Sequence, residues 1–287
     1  MLKNRFNKLV FKVQRLRANM SKARFFAFST AREFISPAPQ LRILFSDNCW
    51  GEGLIRNGFR FLHHQVDFAA FTPEKIKNYD LVIPLNMEDL RELKDVPELN
   101  KQLIPIPDLN VINLCDNKFL FNHALVDNGF EDFLPKMGYD LKFPFLLKKK
   151  VAWGGNNCFF IYTSEQKAEL VDLIESPDYF CQEIIKGRSE FDTHILYKNH
   201  RIVASLNVEN FFETDTYIKG KDDYIFTKIV KCPYLDTFAA ILEAINFEGL
   251  CCFNYKENNG KPAIFEINPR FDGSLSRYFF TFLRHAS

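Results

Sequence analysis

The stretch Ile264-Phe265-Glu266-Ile267-Asn268-Pro269-Arg270 alternates apolar and polar side chains and then stops at a proline. On a strand, successive side chains face opposite sides. That predicts Ala263, Phe265 and Ile267 buried on one face, with Glu266 and Asn268 together on the other. A carboxylate and an amide oxygen side by side suit a hard divalent cation, which takes oxygen ligands. Pro269 biases Asn268 toward extended geometry and ends the strand. Arg270 follows at the exit, where its fork can grip a carboxylate or phosphoryl group. Taken alone, the same pattern also describes an ordinary polar-faced surface strand.

Two further stretches upstream carry chemistry. Pro144-Phe145-Leu146-Leu147-Lys148 is an apolar strand ending in a lysine, and Lys149 and Lys150 lead on to Trp153-Gly154-Gly155-Asn156-Asn157. Glycine-rich backbone can approach phosphates closely and aim N–H groups at them, and a lysine adds charge. The competing description is a solvated lysine run and a hairpin turn. Phe180-Cys181-Gln182-Glu183-Ile184-Ile185 runs into Lys186-Gly187-Arg188-Ser189-Glu190. There an apolar strand leads to a glycine and then to an acid.

The chain has 287 residues, 47% hydrophobic and 25% charged, an ordinary globular composition except for its 32 phenylalanines. Phe has no polar handle, so this abundance describes a core. The seven cysteines are odd in number and form no CxxC, which fits buried thiols in a reducing compartment. No apolar run reaches the ~18 residues of a membrane span, and the N-terminus lacks the apolar core of a secretory signal. A cytoplasmic protein is expected, with a peripheral membrane contact left open by its first forty residues. These hold nine basic residues against the single acid Glu33, a net of +8; the whole chain is +1, so residues 41–287 carry −7. Within them Leu2, Phe6, Leu9, Val13, Leu16 and Met20 recur at helical spacing. A basic amphipathic arm of this kind docks on an anionic membrane or a protein partner, or packs on its own acidic body. A transit peptide is a third description of it. Pro37-Ala38-Pro39 ends the arm. Nucleic acid is not an expected partner, since the body is acidic and no nucleic-acid module is present. No Gly-x-Ser-x-Gly occurs, and His63-His64 and His194 have no diagnostic partners.

Leu41 to Phe45, Val66 to Phe71 and Leu81 to Leu85 read as strands. Helices are predicted over Gly51–Leu62 and near Met87–Leu99. This alternation predicts a parallel α/β lobe with a ligand crevice near Ser46 to Gly53. Beyond Asn117 the texture changes. Helices are predicted at Lys118–Asn128, Glu165–Glu175 and Tyr234–Asn246, and strands at Phe143–Lys148, Cys158–Tyr162 and Tyr179–Ile185. Hairpins are predicted around Lys198-Asn199-His200 and Asn258-Asn259-Gly260.

In this order, the pieces from Asn117 to Arg270 resemble the ATP-grasp enzymes. The resemblance implies an α/β fold of α+β lobes. Residues 1–40 form a basic arm, 41–116 a small parallel pre-ATP-grasp lobe and 117–287 the ATP-grasp domain. The last divides into a nucleotide-covering part to about 185 and a catalytic part from 186. It implies ATP and Mg²⁺, or Mn²⁺ in its place, as cofactors. Lys118 and Lys148 resemble the two ATP lysines, and Gly154 and Gly155 the phosphate-covering loop. Gln182 to Ile185 resembles the adenine-binding hinge, and Glu190 the ribose-binding acid. Asn254, Glu266 and Asn268 resemble the metal ligands. Arg270 resembles the arginine that handles the reacting group, with Lys148 its catalytic companion.

Three departures stand out. Asn254 occupies a metal position that is usually acidic. The loop has only two adjacent glycines. Gly187 and Glu190 are one residue too far apart, so Ser189 competes for the ribose position. The implied activity is an ATP-dependent carboxylate–amine ligase acting on small molecules. The alternatives are a kinase of hydroxyl groups on the same fold, or a non-catalytic ATP-binding module anchored by its arm. The loop Asn210–Asp223, with Phe211, Phe212, Glu213, Asp215 and Tyr217, either lines a substrate pocket or covers the core.

Overall fold

The computed structural model describes residues 2–37, 39–47, 51–94, 96 and 103–285, with side chains from Leu9 onward. The side chains of Leu2 and Phe6 in the predicted arm face, Ala38, the 48–50 part of the predicted crevice with Cys49, and the 97–99 end of the helix predicted near Met87–Leu99 lie outside what is described.

A single helix, α1 (Leu2–Ile35), precedes a lobe of β1 (Arg42–Phe45), α2 (Glu52–Phe59), β2 (Gln65–Phe68), α3 (Pro73–Ile76), β3 (Leu81–Ile83) and α4 (Met87–Leu93). Its strands form a parallel sheet in the order β2-β1-β3. The α4 terminus is fixed by a capping box between Asn86 and Asp89. A helix that the sequence reading missed, α5 (Leu109–Asp116), leads into α6 (Lys118–Asp127). Asn117 separates them: its side-chain oxygen accepts from the backbone N–H groups of Phe119 and Leu120.

Next come β4 (Phe145–Lys149), β5 (Cys158–Ile161), α7 (Ser164–Glu169), α8 (Val171–Ile174) and β6 (Tyr179–Glu183). The three strands make an antiparallel sheet, β5-β4-β6. The helix predicted over Glu165–Glu175 is two short helices, because Leu170 leaves helical geometry at φ −107°, ψ 16°. The remainder is β7 (Ser189–Lys198), β8 (Arg201–Phe212), β9 (Tyr224–Val230), α9 (Leu235–Ala244), β10 (Gly249–Asn258), β11 (Lys261–Asn268) and the short α10 (Phe280–Leu283). Its five-stranded antiparallel sheet runs β11-β10-β7-β8-β9. Both predicted hairpins are present, with Asn199, His200, Asn259 and Gly260 in the left-handed backbone region.

One face of the parallel sheet has a core of its own, Leu44 and Val82 against Ile76 and Leu93; the other face shares one. Ile43, Phe45 and Ile83 pack with Leu196 and Leu250 of the large sheet and with Phe271, Phe279 and Phe280 from the C-terminal segment. The other face of the large sheet buries Phe238, Ile241, Phe253 and Ile264 under α9. The small sheet has its own core on one face, around Phe145, Leu147, Ile161 and Cys181. Its opposite face is therefore left to look at the large sheet.

One predicted alternation is corrected. Asn254 pairs with Glu266 but Tyr255 with Ile264, so Phe265 is the extra residue of a β-bulge. It does not join Ile267 in the core. It turns with Glu266 toward the space between the sheets.

Candidate active site

Cross-strand pairing sets which side chains share this space. On the small sheet Leu146 pairs with Gln182 and Phe160, and Lys148 with Phe180 and Cys158. Paired residues face the same side of a sheet. On the large sheet Glu266, Asn254 and Asp192 form one row across β11, β10 and β7, and Asn268, Cys252 and His194 form the next.

Between these two faces lies a cavity of about 440 Å³. Lys118, Lys148, Gly154, Gly155, Gln182, Ile184, Ile185, Glu190, Asn254, Glu266, Asn268 and Arg270 all border it. Glu183 does not. It lies on the opposite face of β6, and its carboxylate accepts from the Lys136 backbone N–H at 2.8 Å. Period two allows only one of Gln182 and Glu183 to face the cavity, and it is Gln182. The Ser189 alternative is also resolved in placement: its hydroxyl donates to Glu209 at 2.7 Å, while Glu190 is buried at the cavity wall.

Lys118 Nζ lies 3.0 Å from Glu266 Oε2 and donates to the Ala152 carbonyl at 2.5 Å. Lys148 Nζ donates to Gln182 Oε1 at 3.1 Å. Burial alone would raise the Glu266 carboxyl, but Lys118 and Lys148 outweigh it and hold the group below its ordinary value. The Lys148 ammonium is itself pushed down by burial. Asn268 Nδ2 donates to Asn254 Oδ1 at 2.8 Å, and Asn254 Nδ2 donates to Asp192 Oδ1 at 2.7 Å. Asp192 therefore stands one strand away from the position where the sequence shows an amide.

Several cavity residues escaped the sequence reading. Lys219, in the β8–β9 loop, pairs with Asp192 and lies 3.7 Å from Glu190. Burial would lower its ammonium, but those two carboxylates outweigh burial and hold it well above the ordinary lysine value. Burial raises Glu190. Lys256 Nζ donates to the Ile185 carbonyl at 3.0 Å and sits over the Tyr217 ring, with burial pushing it down to about 8. The loop predicted either to line a pocket or to cover the core does both. Tyr217, Ile218 and Lys219 border the cavity, while Phe212 stacks on Tyr217 from inside.

The two glycines of the predicted phosphate-covering loop have left-handed φ of 62° and 70°. A Cβ at Gly155 would lie 2.6 Å from the Lys219 carbonyl oxygen and from Ile218. Gly220 in turn packs against the Gly154 carbonyl. Glycine is required here because two loop backbones touch over the cavity.

A second cavity of about 740 Å³ adjoins the first, bordered by Asn86, Glu88 and Arg91 after β3 and by Trp153, Pro269 and Arg270. Lys118, Glu266 and Asn268 border both. Among the described residues of the crevice predicted near Ser46 to Gly53, none borders either cavity, and the second cavity opens beyond β3. Ser46 is buried and Gly51 abuts Ser276.

No family model matches the sequence, and no curated protein does. Solved structures do. Phosphoribosylamine–glycine ligase from Thermotoga maritima matches with a TM-score of 0.62 at 13% identity, over 82% of this chain and 70% of that one. L-amino acid ligase from Bacillus licheniformis gives 0.60 at 12%, over 84% and 70%. D-alanine–D-alanine ligase from Bacillus anthracis, complexed with ATP, gives 0.55 at 12%, over 87% and 97%.

The chain has the ATP-grasp fold. At these identities the likeness speaks for the architecture and not for the chemistry. The ATP-grasp cavity does carry donors awaiting an acceptor. Gln182 Nε2 and Arg270 Nε are buried without a hydrogen-bond partner among the described residues. Such orphans are costly unless a ligand satisfies them. The Glu266, Asn254 and Asn268 set is all oxygen and nitrogen from carboxylate and amides, whose oxygens are the donors a hard cation selects. These residues fit a Mg²⁺-nucleotide.

Proposed function

We propose that the chain is an ATP- and Mg²⁺-dependent ligase that activates a small-molecule carboxylate as an acyl phosphate. It then couples this to an amine, releasing ADP and phosphate. The observation that carries this reading is the shared cavity of Lys148 and Glu266, one on each sheet. The similar structures named above are ligases by name, which supports the same class.

Phosphoryl transfer depends on alignment and charge neutralisation. Lys118 and Lys148 supply fixed positive charge on the phosphate side of the cavity. Glu266 and Asn268, with Asn254 beside them, would hold the cation, which would supply neutralisation of the phosphate oxygens. Gln182, Ile184 and Ile185 line the cavity where they would hold the nucleotide base, and Glu190 where it would hold the ribose. Arg270, which borders both cavities, steadies the reacting carboxylate. Asn86, Glu88 and Arg91 offer polar and charged groups of both signs for the substrates. The Gly154–Gly155 loop, closed against Gly220, keeps water from the activated group.

The test is ADP release from ATP and Mg²⁺ across a panel of carboxylates and amines, with hydroxylamine as a trap. A ligase yields ADP that depends on a carboxylate, and a hydroxamate. ADP release with hydroxyl acceptors and no hydroxamate supports a kinase instead. Tight ATP binding with no ADP release across the panel supports a non-catalytic module.

A further inference from the structure

Among the residues whose side chains are described, helix α1 packs on the body through one face. Phe11 meets Phe211, Phe25 meets Tyr278, Phe26 meets Phe280, and Ala18 is buried. Lys22 donates to Thr227 at 2.8 Å, and Glu33 pairs with Arg284 at 3.0 Å. The opposite face is the apolar row that the sequence singled out. Leu9, Val13, Leu16 and Met20 are 43% to 62% exposed, and Phe34 prolongs the row. At 100° per residue these side chains fall on one stripe. Exposed Lys12 borders it on one side, and exposed Arg17 and Arg24 on the other. The sequence holds no acid before Glu33, and Glu33 is buried against Arg284.

We infer that this outer stripe of α1 lies on an anionic lipid surface, with the ATP-grasp body on the side away from it. A continuous exposed apolar stripe marks an interaction site. The flanking cations choose among occupants. Long basic side chains lying beside an apolar strip reach outward to headgroup phosphates while their stems stay with the apolar side chains. A second copy would bring an equally basic helix against the first, so like charge opposes self-pairing. Geometry favours a flat approach, because α1 runs ~50 Å at 1.5 Å per residue and meets the body through Phe11, Phe25 and Phe26 on the face away from the stripe. This proposal is independent of the ligase reading, since none of these residues borders either cavity.

The experiment is sedimentation of the full chain with phosphatidylcholine vesicles, with or without 30 mol% (about one third) phosphatidylglycerol. Binding to the anionic vesicles alone is expected, weakening as salt screens the charges. Leu16→Glu/Met20→Glu lowers the bound fraction about tenfold or more. Arg17→Ser/Arg24→Ser lowers it comparably, at about fivefold per basic residue. All four side chains are exposed, so the unfolding midpoint stays unchanged and verifies the fold. No binding by the folded wild type to anionic vesicles overturns the proposal, and so does binding that both double variants retain. A lipid-free dimer that Leu16→Glu/Met20→Glu disperses also overturns it, by showing that a second copy covers the stripe.

Discussion

Lys118 and Glu266 meet at 3.0 Å, the first from the start of α6 and the second from the last strand of the large sheet. The ammonium a phosphate chain needs is thus held by the carboxylate a cation needs. Lys148 reinforces the arrangement by helping to keep Glu266 ionised. Removing one preorganised charge-stabilising group costs ~10²–10³ in rate. Lys148→Ala and Glu266→Ala are each expected to lower ADP release at least that far. Turnover within a few-fold of wild type in either variant contradicts the roles given to them.

Gly155 combines a φ of 70° with backbone contact to Lys219. A side chain there is strained by about 1–2 kcal/mol and must also push the two loops apart. Gly155→Ala is expected to raise the KM for ATP and to speed proteolysis of the Trp153–Asn157 loop. Gly154→Ala, whose added Cβ meets no neighbour within 4 Å, carries only the backbone strain and serves as the comparison. Equal behaviour of the two variants removes the contact argument.

Lys219 balances Asp192, which is 2% exposed, and Glu190 beside it. Losing one partner of a buried pair leaves a charge without compensation, at about 3 kcal/mol. Lys219→Met is expected to destabilise by that order in urea unfolding, and adding Asp192→Asn to recover much of the loss. A double variant as unstable as the sum of the two single ones denies the coupling.

Lys256 gives a pH signature. Its folded pKa, pushed down to about 8, lies below the unfolded value near 10.5. Between these values the unfolded chain binds more protons, so stability rises with pH across that window. Below about 8 the destabilisation is fully present, on the order of 3 kcal/mol. Lys256→Met is expected to be more stable than wild type at pH 7, by less than this because the Ile185 carbonyl loses its donor. The gap narrows as pH climbs from 8 to 10. Unfolding midpoints from pH 7 to 10 measure it, and a pH-independent gap rules the linkage out.

The β10–β11 hairpin was legible because alternation and the Asn258-Asn259-Gly260 turn are local signals. The bulge at Phe265 was not, since it depends on how the partner strand registers. Gln182 and Glu183 sit on opposite faces of β6, and only the neighbouring strand tells which face meets the cavity. Lys219 was invisible for a stronger reason. It reaches Asp192 through tertiary packing of a loop with no periodicity. On α1 the apolar period was plain, yet the row buried against the body is a different one, led by Phe11, Phe25 and Phe26. A helix with two apolar stripes does not say which of them its own body covers.

The most direct test of the shared cavity is ATP affinity measured with and without Mg²⁺ for wild type, Lys148→Ala and Glu266→Gln. Wild-type binding is expected to tighten with Mg²⁺. Lys148→Ala should weaken it about tenfold or more, the order of a lost charge-assisted contact. Glu266→Gln should erase the Mg²⁺ dependence. Absence of ATP binding by folded wild type, or the same Mg²⁺-dependent affinity in all three proteins, contradicts a nucleotide held between Lys148 and Glu266.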